Sequence, residues 1–148
     1  MRTPGIDMNE TATLITLTHA ASTWALVGLI WIVQLVHYPL MATVGTGQFP
    51  SYHAAHARRI TWVVAPLMLA ELATAGILVW LGERNPWWLL SLPLLAANWI
   101  STALVQIPLH HRLARGFDRS AHARLVHTNW TRTAAWSLRG LLLLPTLT

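Results

Sequence analysis

The chain contains no cysteine and no lysine, and only five acidic residues among its 148 positions. Without cysteine, disulfides, thiolate metal sites and thiol catalysis are excluded, while the redox compartment stays open. Charge of either sign is scarce, at 10% of residues against about 25% in a soluble domain. Hydrophobic residues make up 54%, so most of the surface is expected to face something other than water. All ten basic residues are arginine, and most sit at the edges of apolar runs. The net charge of +5 therefore reads as a membrane-orientation signal, with no nucleic-acid partner.

Met1 to Glu10 is polar, with Arg2 set against Asp7 and Glu10. The apolar run after it is too long for the core of a cleavable signal peptide, so the first helix is expected to be retained. Four apolar segments, at about 13–38, 54–81, 87–113 and 120–144, each reach the roughly 20 helical residues that cross a hydrocarbon core. Pro39 is expected to stop the first. Pro66, Pro93 and Pro108 fall inside the second and third, where neighbouring helices can accommodate kinks. The fold expected is an all-α membrane protein, a four-transmembrane-helix bundle forming a single integral membrane domain over 1–148.

Arg58, Arg59, Arg112, Arg115, Arg119 and Arg124 flank the face where span one ends and span four begins. The opposite face has Arg2 and Arg84, each near an acid. By the positive-inside rule the first face is cytoplasmic and both termini lie on the outer, periplasmic side of a bacterial inner membrane. Trp80, Trp87 and Trp88 are expected in an aromatic belt at the outer boundary.

Polar periodicity is the informative signal in lipid. At 100° per residue, His19, Thr23, Gln34 and His37 share one face of helix one, and His56, Glu71 and Thr74 one face of helix two. Asn98, Thr102, Gln106 and His110 repeat at i, i+4 on helix three, and His122, Asn129, Arg132, Trp136 and Arg139 share a face of helix four. Facing lipid, such groups would cost several kcal/mol each, so the stripes are expected to face one another around a polar interior. Counting about 1.5 Å per residue from the boundary arginines brings Glu71, Asn98 and Arg139 to one level. A Glu71–Arg139 ion pair braced by Asn98 is expected there. A second layer holds Gln34, Gln106 and Arg132. A third, at the cytoplasmic mouth, holds His37, His56 and His110, with His53, His111, His122 and His127 as further candidates.

The histidine layer carries two readings. Neutral imidazole binds iron, copper or zinc, with His37, His53, His56 and His110 as the ligand set, or haem between His37 and His110 or His127. The same histidines can also be ordinary interfacial residues, and neither HExxH nor paired Glu-x-x-His occurs. Arg132 has no acid at its depth, and a surplus intramembrane cation invites an anionic or carbonyl-bearing ligand. Gln34, Asn98, Gln106, Asn129 and Trp136 would line that ligand's site, with Trp136 placed to stack on a planar ring or an arginine. Trp24, Trp62, Trp99 and Trp130 read as packing or interface residues.

Gln106-Ile-Pro108-Leu-His110-His-Arg-Leu113, then Leu125-Val-x-x-Asn129-Trp130-x-Arg132-Thr133, then Arg139 form a recognisable pattern, with Val36-His37-Tyr38-Pro39 as a fainter echo. It resembles the small four-helix membrane proteins related to anthrone oxygenases, although His110 stands where that family usually has asparagine. The resemblance implies oxidation of a lipid-soluble aromatic by oxygen without an obvious cofactor. The expected function is a membrane-embedded oxidoreductase acting on a lipid-soluble aromatic, quinone-like or isoprenoid compound. Arg132 and Arg139 would polarise an oxygen, His37, His56 and His110 would move protons or hold a metal, and Glu71 would complete the catalytic set. The alternatives are a haem- or metal-binding electron-transfer or sensor protein, and a transporter or channel component. The latter would have to form a homo-oligomer, since four helices are few and no inverted repeat is visible.

Overall fold

The computed structural model describes residues 8–147. Arg2 and Asp7, two of the charges used to orient the N-terminal end, lie outside them. Every regular element is helical: α1 (Met8–Ile32), a π-helical turn (Val33–His37), α2 (Tyr38–Met41), α3 (Phe49–Trp80), α4 (Pro86–Ser101), a second π-helical turn (Thr102–Gln106), α5 (Ile107–Leu113), α6 (Arg119–Leu143) and a final 3₁₀ turn (Leu144–Thr146). They run together as four rods. Rod one is α1 to α2, rod two is α3, rod three is α4 to α5, and rod four is α6.

Rods one, two and three are long and apolar enough to cross a membrane. Rod four has similar length, but Arg119, Arg124, Arg132 and Arg139 keep it outside that apolar class. Two of those arginines, Arg132 and Arg139, are buried, whereas Trp130, Leu138 and Leu141 are exposed. The outer faces of the other rods are likewise apolar, with Leu14, Leu35, Leu69, Ile100 and Leu104 exposed.

Helix boundaries obey local chemistry. Rod one does not stop at Pro39. A proline lacks the N–H and crowds the carbonyl four residues back. Ahead of Pro39 the rod widens into a π turn, the Tyr38 N–H reaches back to the Val33 carbonyl, and the helix continues to Met41. Pro108 is treated the same way, with the Ile107 N–H on the Thr102 carbonyl. Rod two begins at Phe49, earlier than expected from the sequence, and so carries His53 into the bundle. It ends at Gly82, whose φ of +77° suits glycine, and the Glu83 N–H closes on the Leu78 carbonyl at 3.0 Å. Asn85 caps rod three through the Trp87 N–H, and Asp118 caps rod four through the Ala121 N–H.

Rod one packs on rods two and four, and rod four on rod three. Rods two and three meet chiefly through α5, leaving a gap over the rest of their length. Phe49 and Phe117 touch ring to ring at 5.0 Å, bringing the loops after rods one and three to the same end. Trp88 does not join an interfacial belt. It is 2% exposed, packed with Leu78 and Leu143, while Trp80 and Trp87 remain exposed.

Two outcomes test this packing. A Cβ on Gly140 would meet the Trp24 ring and Val27 at 3.3 Å, so Gly140→Val is expected to lower the thermal midpoint in detergent. The Asp118 carboxyl is pulled down to about 2, first by the Ala121 N–H, then by the Ser120 hydroxyl and Arg112. A depressed carboxylate contributes fully above its unfolded value of about 3.9 and loses its contribution as pH falls through the folded value. Asp118→Asn should therefore flatten the loss of stability between about pH 4 and 2 in melting curves.

Candidate functional site

Three polar layers cross the bundle, and each joins different rods. The first is built on Glu71 of rod two and Arg139 of rod four, both 0% exposed, whose Oε1 and Nε are 2.9 Å apart. The expected pair is present, but its braces differ from expectation. Thr23 donates to Glu71 Oε1 at 2.6 Å and the Trp136 indole to Oε2 at 3.3 Å. Arg139 Nη1 donates to the Ser91 carbonyl at 2.6 Å, and Nη2 to His19 Nε2 at 2.6 Å. Because arginine can only donate, His19 must accept at Nε2 and carry its proton on Nδ1. That proton goes to Thr74 Oγ1 at 2.8 Å, and Thr74 donates onward to the Ala70 carbonyl at 2.7 Å. Asn98 takes no part: its amide is buried and makes no hydrogen bond among the described residues. Ser91, on the same helix face two turns further out, is the brace on rod three.

The second layer orients Arg132. Gln34 of rod one donates to the Val126 carbonyl and accepts from Asn129 Nδ2 at 2.8 Å. Asn129 Oδ1 accepts from Arg132 Nη1 at 3.1 Å. The guanidinium lies 4.9 Å from the Trp136 ring centroid. Arg132 is 6% exposed, and neither of the two ion pairs among the described residues includes it. Its Nε has no hydrogen-bond partner.

Arg132 and Trp136 form part of the wall of a cavity of about 340 Å³. Leu29, Ile30, Val33, Val64, Met68 and Ile107 supply apolar wall. Polar lining comes from Tyr38, His56, Thr61, Trp99, Thr102, Gln106 and His110 as well as Arg132. Gln106 donates to Thr128, but its Oε1 is unpartnered, as is the Trp99 indole N–H. Thr61, Leu69 and Ile107 line the cavity and are also exposed, so it opens sideways through the gap between rods two and three.

The third layer separates into parts. His53 Nε2 and His110 Nδ1 are 3.1 Å apart, and His110 Nε2 lies 3.3 Å from the Tyr38 hydroxyl. His37 and His56 pair with ring centroids 5.5 Å apart, and with Tyr52 and Arg59 they line a second chamber beyond the cavity. His56 belongs to both spaces. His122 is buried, bonded to the Tyr38 carbonyl at 2.8 Å, whereas His111 and His127 are exposed.

Among the described residues no three histidine or acidic side chains are grouped to hold a metal ion. The expected set His37, His53, His56 and His110 is instead two pairs: His53 Nε2 and His110 Nδ1 are engaged with each other, His110 Nε2 with Tyr38, and His53 Nδ1 has no hydrogen-bond partner. The exposed His127 cannot form the inward ligand pair with His37. Of the expected catalytic set, Arg132 and His110 share the cavity. His37 lies in the outer chamber, and Glu71 and Arg139 neutralise each other in a separate layer. Of the expected ligand-binding residues, Gln106 and Trp136 reach the cavity, Gln34 and Asn129 hold Arg132 from behind, and Asn98 does neither. Sequence reasoning missed Tyr38 and Trp99 as cavity residues. The Tyr38-Pro39 step was the available signal, since a proline that does not end a helix changes the rotation of its neighbours.

No protein family, curated protein or solved structure matches this chain.

The Glu71–Arg139 layer generates a graded expectation. Glu71→Gln leaves a guanidinium buried without its carboxylate, and arginine does not shed its proton, so a loss of about 3–5 kcal/mol is expected. Arg139→Gln should cost less, because the Glu71 carboxyl keeps the hydrogen bonds from Thr23 and Trp136. Denaturation in matched micelles measures the order of the two losses.

Proposed function

We propose that this protein is a membrane-embedded enzyme whose cavity takes a lipid-soluble compound by an acidic or carbonyl oxygen at Arg132. The observation that carries this reading is the guanidinium itself: buried, without a carboxylate, and lining a largely apolar space of about 340 Å³. Burying an uncompensated charge is costly, so an oxyanion or polarised carbonyl at that place supplies a missing partner. The apolar wall and Trp136 suit a planar aromatic or quinone-like body, or an isoprenoid one. The sideways opening supports access from the hydrocarbon phase.

In the arrangement we adopt, rod four crosses the bilayer as a fourth span. It turns Arg132 and Arg139 inward and an apolar face outward, which removes the objection that its composition raises. The positive-inside rule then supports a cytoplasmic histidine-rich end and termini on the outer side of a bacterial inner membrane. The resemblance to proteins related to anthrone oxygenases supports an oxidoreductase and an aromatic substrate with phenolic and carbonyl oxygens. What the cavity's own residues support is the acid–base part of such chemistry: Arg132 stabilising an oxyanion, with Tyr38 and His110 beside it.

Arg132→Met is the decisive variant. Removing an unpaired buried cation is expected to leave the thermal midpoint unchanged or raise it. Binding of 2-hydroxyanthraquinone, monitored by tryptophan quenching, should weaken about 10- to 100-fold, the worth of one hydrogen bond to a charged group. Unchanged binding would sink the assignment.

A further inference from the structure

Tyr38 is 3% exposed and lines the cavity. Its hydroxyl meets His110 Nε2 at 3.3 Å, and the other nitrogen of that ring meets His53 Nε2 at 3.1 Å. Three groups, each able to accept one proton while giving up another, therefore stand in series from the cavity to rod two. The series is held in place from outside. His122 bonds to the Tyr38 backbone carbonyl at 2.8 Å, and Phe49 stacks on His53 with ring centroids 5.8 Å apart. The charged and titratable groups around it are Arg132 and His122 from rod four, His56 from rod two and His111 next along rod three, with His37 of rod one behind His56. Arg132 and Tyr38 line the same cavity, so one ligand can meet both.

We propose that Tyr38, His110 and His53 form a proton relay that removes the proton from a phenolic or enolic oxygen held at Arg132. This rests on the reading of the cavity as a ligand site and narrows its ligand to compounds with an ionisable hydroxyl. In the relay the ligand's O–H bond breaks and its proton passes to the Tyr38 oxygen. The proton of Tyr38 passes to His110 Nε2, and the Nδ1 proton of His110 passes to His53 Nε2. That direction requires neutral His110 to start with its proton on Nδ1. The products are a ligand oxyanion beside Arg132 and an imidazolium at His53. No electron moves, and no proton is released to water. A simple ketone has no proton to give, and a carboxylic acid has already lost its own at neutral pH, so neither makes use of the series. A phenol or enol does, and its anion is the electron-rich form on which ring or side-chain oxidation begins.

The test uses the full chain in detergent micelles and 2-hydroxyanthraquinone, whose colour changes on ionisation. The dye is mixed with protein in weak buffer about one pH unit below its own ionisation in empty micelles. Absorbance reads the bound anion, an indicator dye reads proton release, and tryptophan quenching reads binding. The wild-type protein is expected to bind the dye as its anion without releasing a proton. Tyr38→Phe, which removes one oxygen and with it a contact to the ligand, and His53→Gln, which removes the final acceptor, are expected still to bind the dye, more weakly than wild type. In both, the dye should stay neutral or release a proton for every anion formed. If Tyr38→Phe fails to fold, His53→Gln makes the same cut at the other end. Matched proton release by wild type, or either folded variant behaving like wild type, overturns the relay. Bound but neutral dye in wild type also overturns the relay while leaving the cavity reading in place. No binding to wild type overturns both.

Discussion

Burying another leucine between two helices in a bilayer gains little, because the lipid it displaces is equally apolar. A carboxylate and a guanidinium that meet at 2.9 Å with no exposure are a different matter, since neither can leave the other without becoming an isolated charge. Glu71 and Arg139 thereby tie rods two and four at a single height. His19 and Thr23 tie rod one to that knot, and Ser91 ties rod three. With all four rods held at one level, the positions of the layers below are no longer free. Gln34 and Asn129 can meet, Arg132 is oriented, and Tyr38 reaches His110.

The two arginines of rod four illustrate how partners divide structure from chemistry. Arg139 spends its donors on a carboxylate, a backbone carbonyl, a serine hydroxyl and an imidazole. Four of its five N–H groups are so engaged, and Glu71 balances its charge. Two turns away, Arg132 has an amide oxygen and the face of Trp136, with its buried Nε unpartnered and no acid. Both are arginines on the same face of one helix. The difference lies in what the neighbouring rods present, a saturated ion pair at one height and an apolar cavity at the other.

Much of this was legible in the residues. The stripes His19–Thr23–Gln34, Glu71–Thr74 and Asn129–Arg132–Trp136–Arg139 face inward as their periodicity required, and the Glu71–Arg139 pair comes from helical rise alone. Asn98 was misjudged because counting from boundary arginines assumes that those arginines are level. Ser91 shares its face and is the residue at the right height. The histidines were misjudged for another reason. Each π turn adds about one residue and rotates the remainder of its rod by about 100°. Beyond Val33 the inward position passes to Tyr38 and leaves His37 facing the outer chamber, so a metal set drawn with uninterrupted α-helical spacing does not assemble.

The sequence by itself therefore determined the rods, the inward direction of their polar faces and the buried Glu71–Arg139 pair. These depend on composition, a constant rise and a constant angle per residue, all local properties. Only the tertiary structure decided that Ser91 and not Asn98 braces the pair, that Tyr38 shares the cavity with Arg132, and that His53 bonds to His110. Those choices depend on the relative heights of rods far apart in the chain and on two breaks in helical phase. No local rule carries that information, because it is settled by which buried donors and acceptors can all be satisfied together.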